Sequence, residues 1–271
     1  MFFRTITFLA AVGSCAAGCE RATPNRIVQA TPQKALEEGL SPEAKQDEEA
    51  CTKGDLTACD SLGAAYASGD GARKDSRKAS ALFQRACDGD VASACYELGY
   101  LIGHNDTPRM VTLFEKACSL GEMIGCGAAG FMHLATTVVK RDPAKAIPLL
   151  TKGCHGNDAM ACKWFVLSFV LDDARKKQAP AAAKQFASAC DRDEVWACAV
   201  LGCFYREGIG VVVDDTKSAA LLQKACDAEM GFGCYELANA YDRGIGVEVN
   251  KARGKELMRR ACDLGAPDPC D

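Results

Sequence analysis

Three kinds of residue are in short supply in this chain. Aromatic side chains make up only 7% of its 271 residues. Few rings and much alanine favour closely packed helices over a β-sandwich. Histidine is scarcer still, with His104, His133 and His155 the whole supply. A three-histidine metal site would need all of them to converge, and no His-Glu-x-x-His pair is present. Basic clusters are also missing, and the net charge is −4. This argues against nucleic acid as a partner, because phosphate binding needs a concentrated positive surface. Serine hydrolase signatures fail as well: neither Ser-x-x-Lys nor Lys-Thr-Gly occurs. No catalytic residue, metal ligand or cofactor is therefore assigned.

Cysteine is in excess, with 17 residues. In a reducing cytosol such a set suggests metal binding, and in an oxidising compartment a disulfide framework. The N-terminus points to the second. One positive charge in Met1 to Arg4 precedes a short apolar run, Thr5 to Val12, and then small residues around Cys15 and Cys19. This pattern reads as a secretory signal and is too short to span a bilayer. Both Val-Gly-Ser-Cys and Ala-Ala-Gly-Cys are similar to a bacterial lipobox, so lipidation is expected at Cys19 or Cys15. An ordinary cleaved signal without lipid is the alternative. Residues 1–18 are read as the signal peptide with its lipobox, 19–40 as a Pro-containing tether, and 41–271 as a repeat solenoid. The expected location is a bacterial cell envelope, with a lipid anchor as the only membrane attachment, or else secretion. No other stretch is long and apolar enough to cross a bilayer.

The repeat is carried by seven cysteine pairs: Cys51 and Cys59, Cys87 and Cys95, Cys118 and Cys126, Cys154 and Cys162, Cys190 and Cys198, Cys226 and Cys234, Cys262 and Cys270. Seven residues separate the members of each pair, and successive pairs begin 36, 31, 36, 36, 36 and 36 residues apart. Four residues before each first cysteine from Cys87 onward stands Phe83, Phe114, Leu150, Phe186, Leu222 or Met258, and one before it stands Ala or Gly. That spacing marks one apolar helical stripe. Three and seven residues after the second cysteine runs a second stripe, exemplified by Leu98 and Ile102, and by Leu201 and Tyr205. Four after it the residue is mostly small: Gly63, Gly99, Gly130, Val166, Gly202, Ala238. Glycine in a helix costs about 1 kcal/mol relative to alanine. Its return at one phase implies a close helix crossing. Gly208-Ile209-Gly210-Val211 and Gly244-Ile245-Gly246-Val247 read as turns after a helix, with Asp214, Asp215 or Asn250 as candidate N-caps for the next.

Each unit is thus helix, Gly turn, helix, then a tight turn bracketed by the cysteines of a pair. Antiparallel helices joined by so short a turn can bring the two Cα atoms to bonding distance, so each pair is read as a disulfide. Zinc is the alternative. Its knuckles usually space cysteines two to four apart, and seven two-cysteine sites would leave each metal under-ligated.

Leu201-Gly202-x-x-Tyr205, Gly208-x-Gly210-Val211 and Lys224-Ala225-Cys226-Asp227 together resemble the Sel-1-like repeat family over about residues 41 to 271. The cysteine spacing is similar to the cysteine-rich branch typified by Helicobacter cysteine-rich proteins. The resemblance implies an all-α, right-handed solenoid of αα-hairpins like that of tetratricopeptide repeats. It also implies a non-catalytic scaffold that binds protein or peptide partners of the envelope. By analogy with names borne by that branch, the alternative is binding of β-lactams or peptidoglycan fragments, or weak β-lactamase activity. This sequence departs from the pattern in two places. The unit from Cys87 loses five residues in its loop around Gly103 to Pro108, and the units from Cys118 and Cys154 lack the Gly-x-Gly turn.

Residues just after the second cysteines, namely Tyr96, Glu97, Trp164, Tyr235 and Glu236, are candidates to line the inner face of the superhelix. Ordinary solvated helix surface is the competing reading. His133 falls at a phase used elsewhere by Tyr or Phe and reads as a packed core residue. His155 follows a helix-end cysteine. Cys203 lies outside the seven pairs and reads as a small buried thiol, with a redox role as the other possibility. At the start, Ser41-Pro42-Glu43 reads as a helix N-terminus. Asp47 and Gln46 at core phases imply that this first helix has a wet outer face.

Overall fold

The structure, a computed structural model, describes residues 39–135 and 140–266. The expected signal, the expected tether up to residue 38, Cys15, Cys19 and Cys270 lie outside them, as does the side chain of His104. The described residues are helical throughout, with no strand. Their α-helices are α1 (Pro42–Thr52), α2 (Leu56–Ser68), α3 (Ser76–Asp88), α4 (Ala92–Ile102), α5 (Thr107–Ser119), α6 (Met123–Ala135), α7 (Pro143–His155), α8 (Ala159–Leu171), α9 (Asp173–Asp191), α10 (Val195–Glu207), α11 (Asp215–Asp227), α12 (Gly231–Arg243) and α13 (Lys251–Asp263). A single 3-10 turn, Gly103–Asp106, joins α4 to α5. No described helix is long and apolar enough to cross a membrane.

Every helix packs against its neighbours in sequence, and the even-numbered helices also touch one another from unit to unit. The odd-numbered helices make no contact of comparable extent among themselves. The chain is therefore an α-solenoid with the even helices as its inner layer and the odd helices outside. Six disulfides join the odd helices α1 to α11 each to the even helix after it, at Cα separations of 4.5 to 4.7 Å. Each bond thus fastens one unit to the next. Cys262 is also disulfide-bonded.

The recurring glycines mark the closest crossings. A Cβ on Gly63 would stand 2.8 Å from the Phe83 ring, on Gly99 2.7 Å from Phe114, on Gly130 2.6 Å from Leu150 and on Gly202 2.9 Å from Leu222. The even helix at its small residue thus lies directly on the large apolar residue of its odd partner. The Gly-x-Gly turns divide two tasks. Gly208 and Gly244 end their helices in the left-handed conformation. Gly210 and Gly246 lie against the backbone of the preceding unit's outer helix, at Ala179 inside α9 and at Asp215, the first residue of α11, where no side chain would fit. Gly71 does the same at the N-terminus of α1, accepting a hydrogen bond from the Ser41 N–H at 2.7 Å. Each turn therefore seals the unit before it.

The irregular units have physical causes. Between α8 and α9 the chain makes no Gly turn. Asp172 alone separates the helices, and Asp173-Ala-Arg-Lys-Lys-Gln, all residues a helix tolerates, lengthens α9 to 19 residues. Pro180 lies inside this helix, at the register where other outer helices begin. Val166 replaces the usual glycine here, and an edge-to-face cluster of Phe165, Phe169, Phe186 and Phe204 fills the space. Arg175, on the added turns, lies 3.8 Å from the centroid of the Phe169 ring. At the other end Ser41 caps α1, Gln46 is exposed and Asp47 is half-buried, so the first helix carries a polar outer face.

Candidate interaction surfaces

The five proposed surface residues sit on the inner helices α4, α8 and α12, but they are not equally available. Glu236 is buried and held by the Arg206 guanidinium, which also binds Glu207 at 2.8 Å. It serves as a strut between α10 and α12 and is not a docking group. Trp164 packs against Phe131 with ring centroids 4.5 Å apart. Tyr96 lies against Phe114 and Tyr100. Glu97 and Tyr235 are half-buried on the same layer.

Two recesses of the described surface bear on function. The larger, of about 630 Å3, lies between the start of α3 and the end of α4. Its floor contains Leu98, Leu101 and Ile102, and its rim Arg77 and Arg109. Its origin is the five-residue deletion. The 3-10 turn is too short to reach the start of α3, where the Gly-x-Gly turns of other units come to rest. The smaller recess, about 290 Å3, lies where three inter-unit turns converge, between Cys154, His155 and Asn157, the start of α10 at Val195 and Trp196, and Ala228 to Met230. His155 stacks on Trp196 at 4.0 Å between centroids. Burial lowers the pKa of His155, with Glu194 opposing, so the imidazole is neutral at pH 7. The Asn157 side chain accepts a hydrogen bond from the Gly231 N–H at 3.2 Å, bridging turns two units apart.

Two periodic features of these turns were not recognised in the sequence. The third residue after each first cysteine is left-handed throughout: Gly54, Gly121 and Gly265, but also Asp90, Asn157, Asp193 and Glu229. Two residues before the first cysteine, a basic residue recurs, and in three units it is a lysine that reaches back to the preceding unit, with Arg85 and Arg260 at the same place in two others. Lys116 Nζ donates to the Cys87 carbonyl at 2.7 Å and pairs with Asp90 at 2.9 Å. Lys224 Nζ does the same with the Cys190 carbonyl at 2.9 Å and Asp193 at 2.8 Å, and Lys152 Nζ donates to the Cys118 carbonyl at 2.6 Å. A cation at a helix C-terminus complements the exposed carbonyls and the dipole. The recurring Lys and the residues spaced 34 positions earlier, or 29 across the deletion, were the available signal.

Three ionisable groups are buried deeper. His133 Nε2 pairs with Glu115 at 2.6 Å between α6 and α5, in a packed setting. Cys203 is a buried, unbonded thiol whose pKa burial pushes up, so it remains protonated and shielded from solvent. Asp158 caps α8 through one carboxylate oxygen and turns the other, without a hydrogen-bond partner, onto Gly127 of α6. Burial pushes its pKa up to about 7. Among the described residues, no group of three His, Cys, Asp or Glu side chains converges as a metal site would require.

The Sel1 repeat family model matches residues 57–91, 92–122, 130–165, 197–230 and 231–265, more than half of the chain. The chain belongs to the Sel1-repeat family. Each match to a Sel1 repeat here joins an inner helix to the outer helix that follows it. Among solved structures with the same repeat is c5321, a protective antigen of uropathogenic Escherichia coli displaying an SLR fold. It is 21% identical, with a TM-score of 0.53, over 80% of this chain and 51% of that one. Helicobacter pylori cysteine rich protein B is 30% identical over 47% of this chain and 91% of that chain, with a TM-score of 0.34. Cytochrome c oxidase assembly factor 7 of Xenopus tropicalis is 36% identical over 86 residues, 30% of this chain and 37% of that protein. The chain thus spans about a third of the length of this curated relative. The Sel1 scaffold is suited to protein–protein interaction, and its disulfides fit an oxidising compartment.

Proposed function

We propose that the chain is a non-catalytic scaffold of the bacterial cell envelope, tethered by lipid at Cys19 or Cys15, that holds a protein or an extended peptide. The observation that carries this reading is the recess left by the shortened turn. An apolar floor at Leu98, Leu101 and Ile102 with Arg77 and Arg109 at its rim is suited to a peptide segment. In the units that carry a Gly-x-Gly turn that position is filled by the chain itself, so a polypeptide backbone is the natural fit. The disulfides on both sides, Cys51–Cys59, Cys87–Cys95 and Cys118–Cys126, hold its walls rigid. A rigid host loses little conformational entropy on binding.

The test is cross-linking followed by capture from envelope preparations, comparing the wild type with Leu101→Glu. Loss of a specific partner in that variant supports the reading. Equal capture by both removes this recess from the binding surface. Replacing both Cys15 and Cys19 with Ser should release the protein from membranes, and continued partition with them rules out the lipid tether. Steady nitrocefin hydrolysis by the purified protein would overturn the non-catalytic assignment.

A further inference from the structure

From Cys87 onward, the residues two before the first cysteines, Arg85, Lys116, Lys152, Lys224 and Arg260, form a basic ladder with one missing rung, which is flanked by the lysines. At the place of Lys116, Lys152 and Lys224, the unit that begins at Cys190 carries Ser188. The counterparts of the groups that hold Lys224 are the Cys154 carbonyl and the side chain of Asn157, 34 and 31 residues before position 188. No cation among the described residues reaches that carbonyl. Its hydrogen bonds come from the backbone N–H groups of Gly156 and Asn157 at the end of α7. Arg192, on the turn that follows α9, donates to Ser188 Oγ and to Glu194, each at 2.8 Å.

Cys154 and Asn157 both line the smaller recess. The same recess is lined by His155 and Trp196, whose tilted rings lie 4.0 Å apart between centroids, and by Glu229. A helix C-terminus and a carboxylate favour a positive charge, and an indole face favours a cation on an apolar stem. An arginine fork would need coplanar acceptors for a bidentate fit, whereas the neighbouring rungs are built for a single ammonium.

We propose that this recess is a binding site for a lysine side chain of a partner polypeptide. The ammonium takes the place of the missing rung at the Cys154 carbonyl and Asn157, and its stem lies on Trp196 and His155. The site rests on the scaffold reading above and names one chemical feature of what the scaffold holds.

The experiment titrates the intact protein with N-acetyl-lysine methylamide, with N-acetyl-norleucine methylamide as control. It follows the Trp196 indole and His155 imidazole resonances by NMR. The lysine compound should give saturable shifts at both residues, and the norleucine compound should bind about fivefold more weakly, the upper range for one exposed charge contact. Ser188→Lys restores the rung from within the chain and should lower the probe's affinity by about tenfold or more. Ser188→Ala leaves the place open and should titrate like the wild type. The proposal is overturned if the lysine compound gives no saturable shift, if norleucine binds equally well, if Ser188→Lys binds undiminished, or if Ser188→Ala loses binding as Ser188→Lys does. The probe needs no partner, so failure to capture an envelope protein would count against the scaffold reading and leave this result intact.

Discussion

Replacing Asp158 with Asn should stabilise the protein above neutral pH and change it little in mild acid. Asp158 is only 8% exposed, and one of its carboxylate oxygens has no hydrogen-bond partner. The other accepts the Met160 N–H at 3.1 Å as the cap of α8. Burial is the main cause of its raised pKa. The backbone N–H groups of Met160 and Ala161 oppose it, and the charge on Glu122 adds to it. The folded-state value of about 7 stands above the ordinary 3.8. Below pH 4 the carboxyl is protonated whether the chain is folded or not. Between about 4 and 7 only the folded chain keeps the proton, so stability falls as pH rises. Above about 7 the full penalty stands. The gap corresponds to a ceiling of about 4 kcal/mol, at about 1.4 kcal/mol per tenfold, and local relaxation brings the expected effect to the order of 1–3 kcal/mol. Asparagine keeps the capping oxygen and removes the charge. Denaturant unfolding at pH 5 and pH 8 with disulfides intact, together with hydrogen exchange in α7 and α8, measures it. Asp158→Ala, which loses the cap as well, separates the two contributions. If Asp158→Asn unfolds at the wild-type midpoint or below it at pH 8, with the same pH dependence, then the buried carboxylate is not the destabilising group argued here.

Gly99→Ala should lower the thermal midpoint, with a cost of about 1–3 kcal/mol from forcing the Phe114 ring aside; a midpoint raised by alanine's helix propensity would show that the crossing is slack. Glu229→Gly should stabilise by about 1 kcal/mol, because it relieves a left-handed backbone that glycine adopts freely, and Gly121→Ala should cost a similar amount; chemical denaturation of the pair checks both signs. Replacing Cys154 and Cys162 together with Ser removes a ring worth about 2–3 kcal/mol. Hydrogen exchange should rise around residues 140–175 and much less beyond 200, whereas a uniform rise would mean that the units do not behave quasi-independently.

Much of the architecture was legible because one spacing recurs. Cysteines eight apart mark the turns, the apolar residue four before them and the glycine four after them mark a single crossing, and Gly63 on Phe83 realises it. Averaging over units hid what differs between them. The lengthened α9 was not anticipated: Pro180 stands inside it, and the residues before that proline are compatible with helix. The left-handed position escaped notice because Asp90, Asn157, Asp193 and Glu229 stand where three other units carry glycine. Asp158 reads as a cap like Asp55. Yet Asp55 is fully exposed and its hydrogen bonds, Thr57 first, draw its pKa down, while Asp158 is closed over by α6. That difference depends on a glycine 31 residues away. Glu236 looked like surface for the same reason, since its partner Arg206 lies on another unit's helix.

The disulfides also bear on how such a chain becomes oxidised. Each of the six closes with a cysteine eight positions along, and none spans another. A polypeptide emerging N-terminus first would expose the correct partner before any competitor beyond it. Pairing in order of appearance then gives the native set, so a plain dithiol oxidant would suffice and an isomerase would have little to correct. Among the described residues Cys203 is the one thiol placed to disturb that order, because it follows Cys198 by five residues and precedes Cys226. The folding of α10 withdraws it into the core, which retires it from exchange while the rest of the chain is still being delivered.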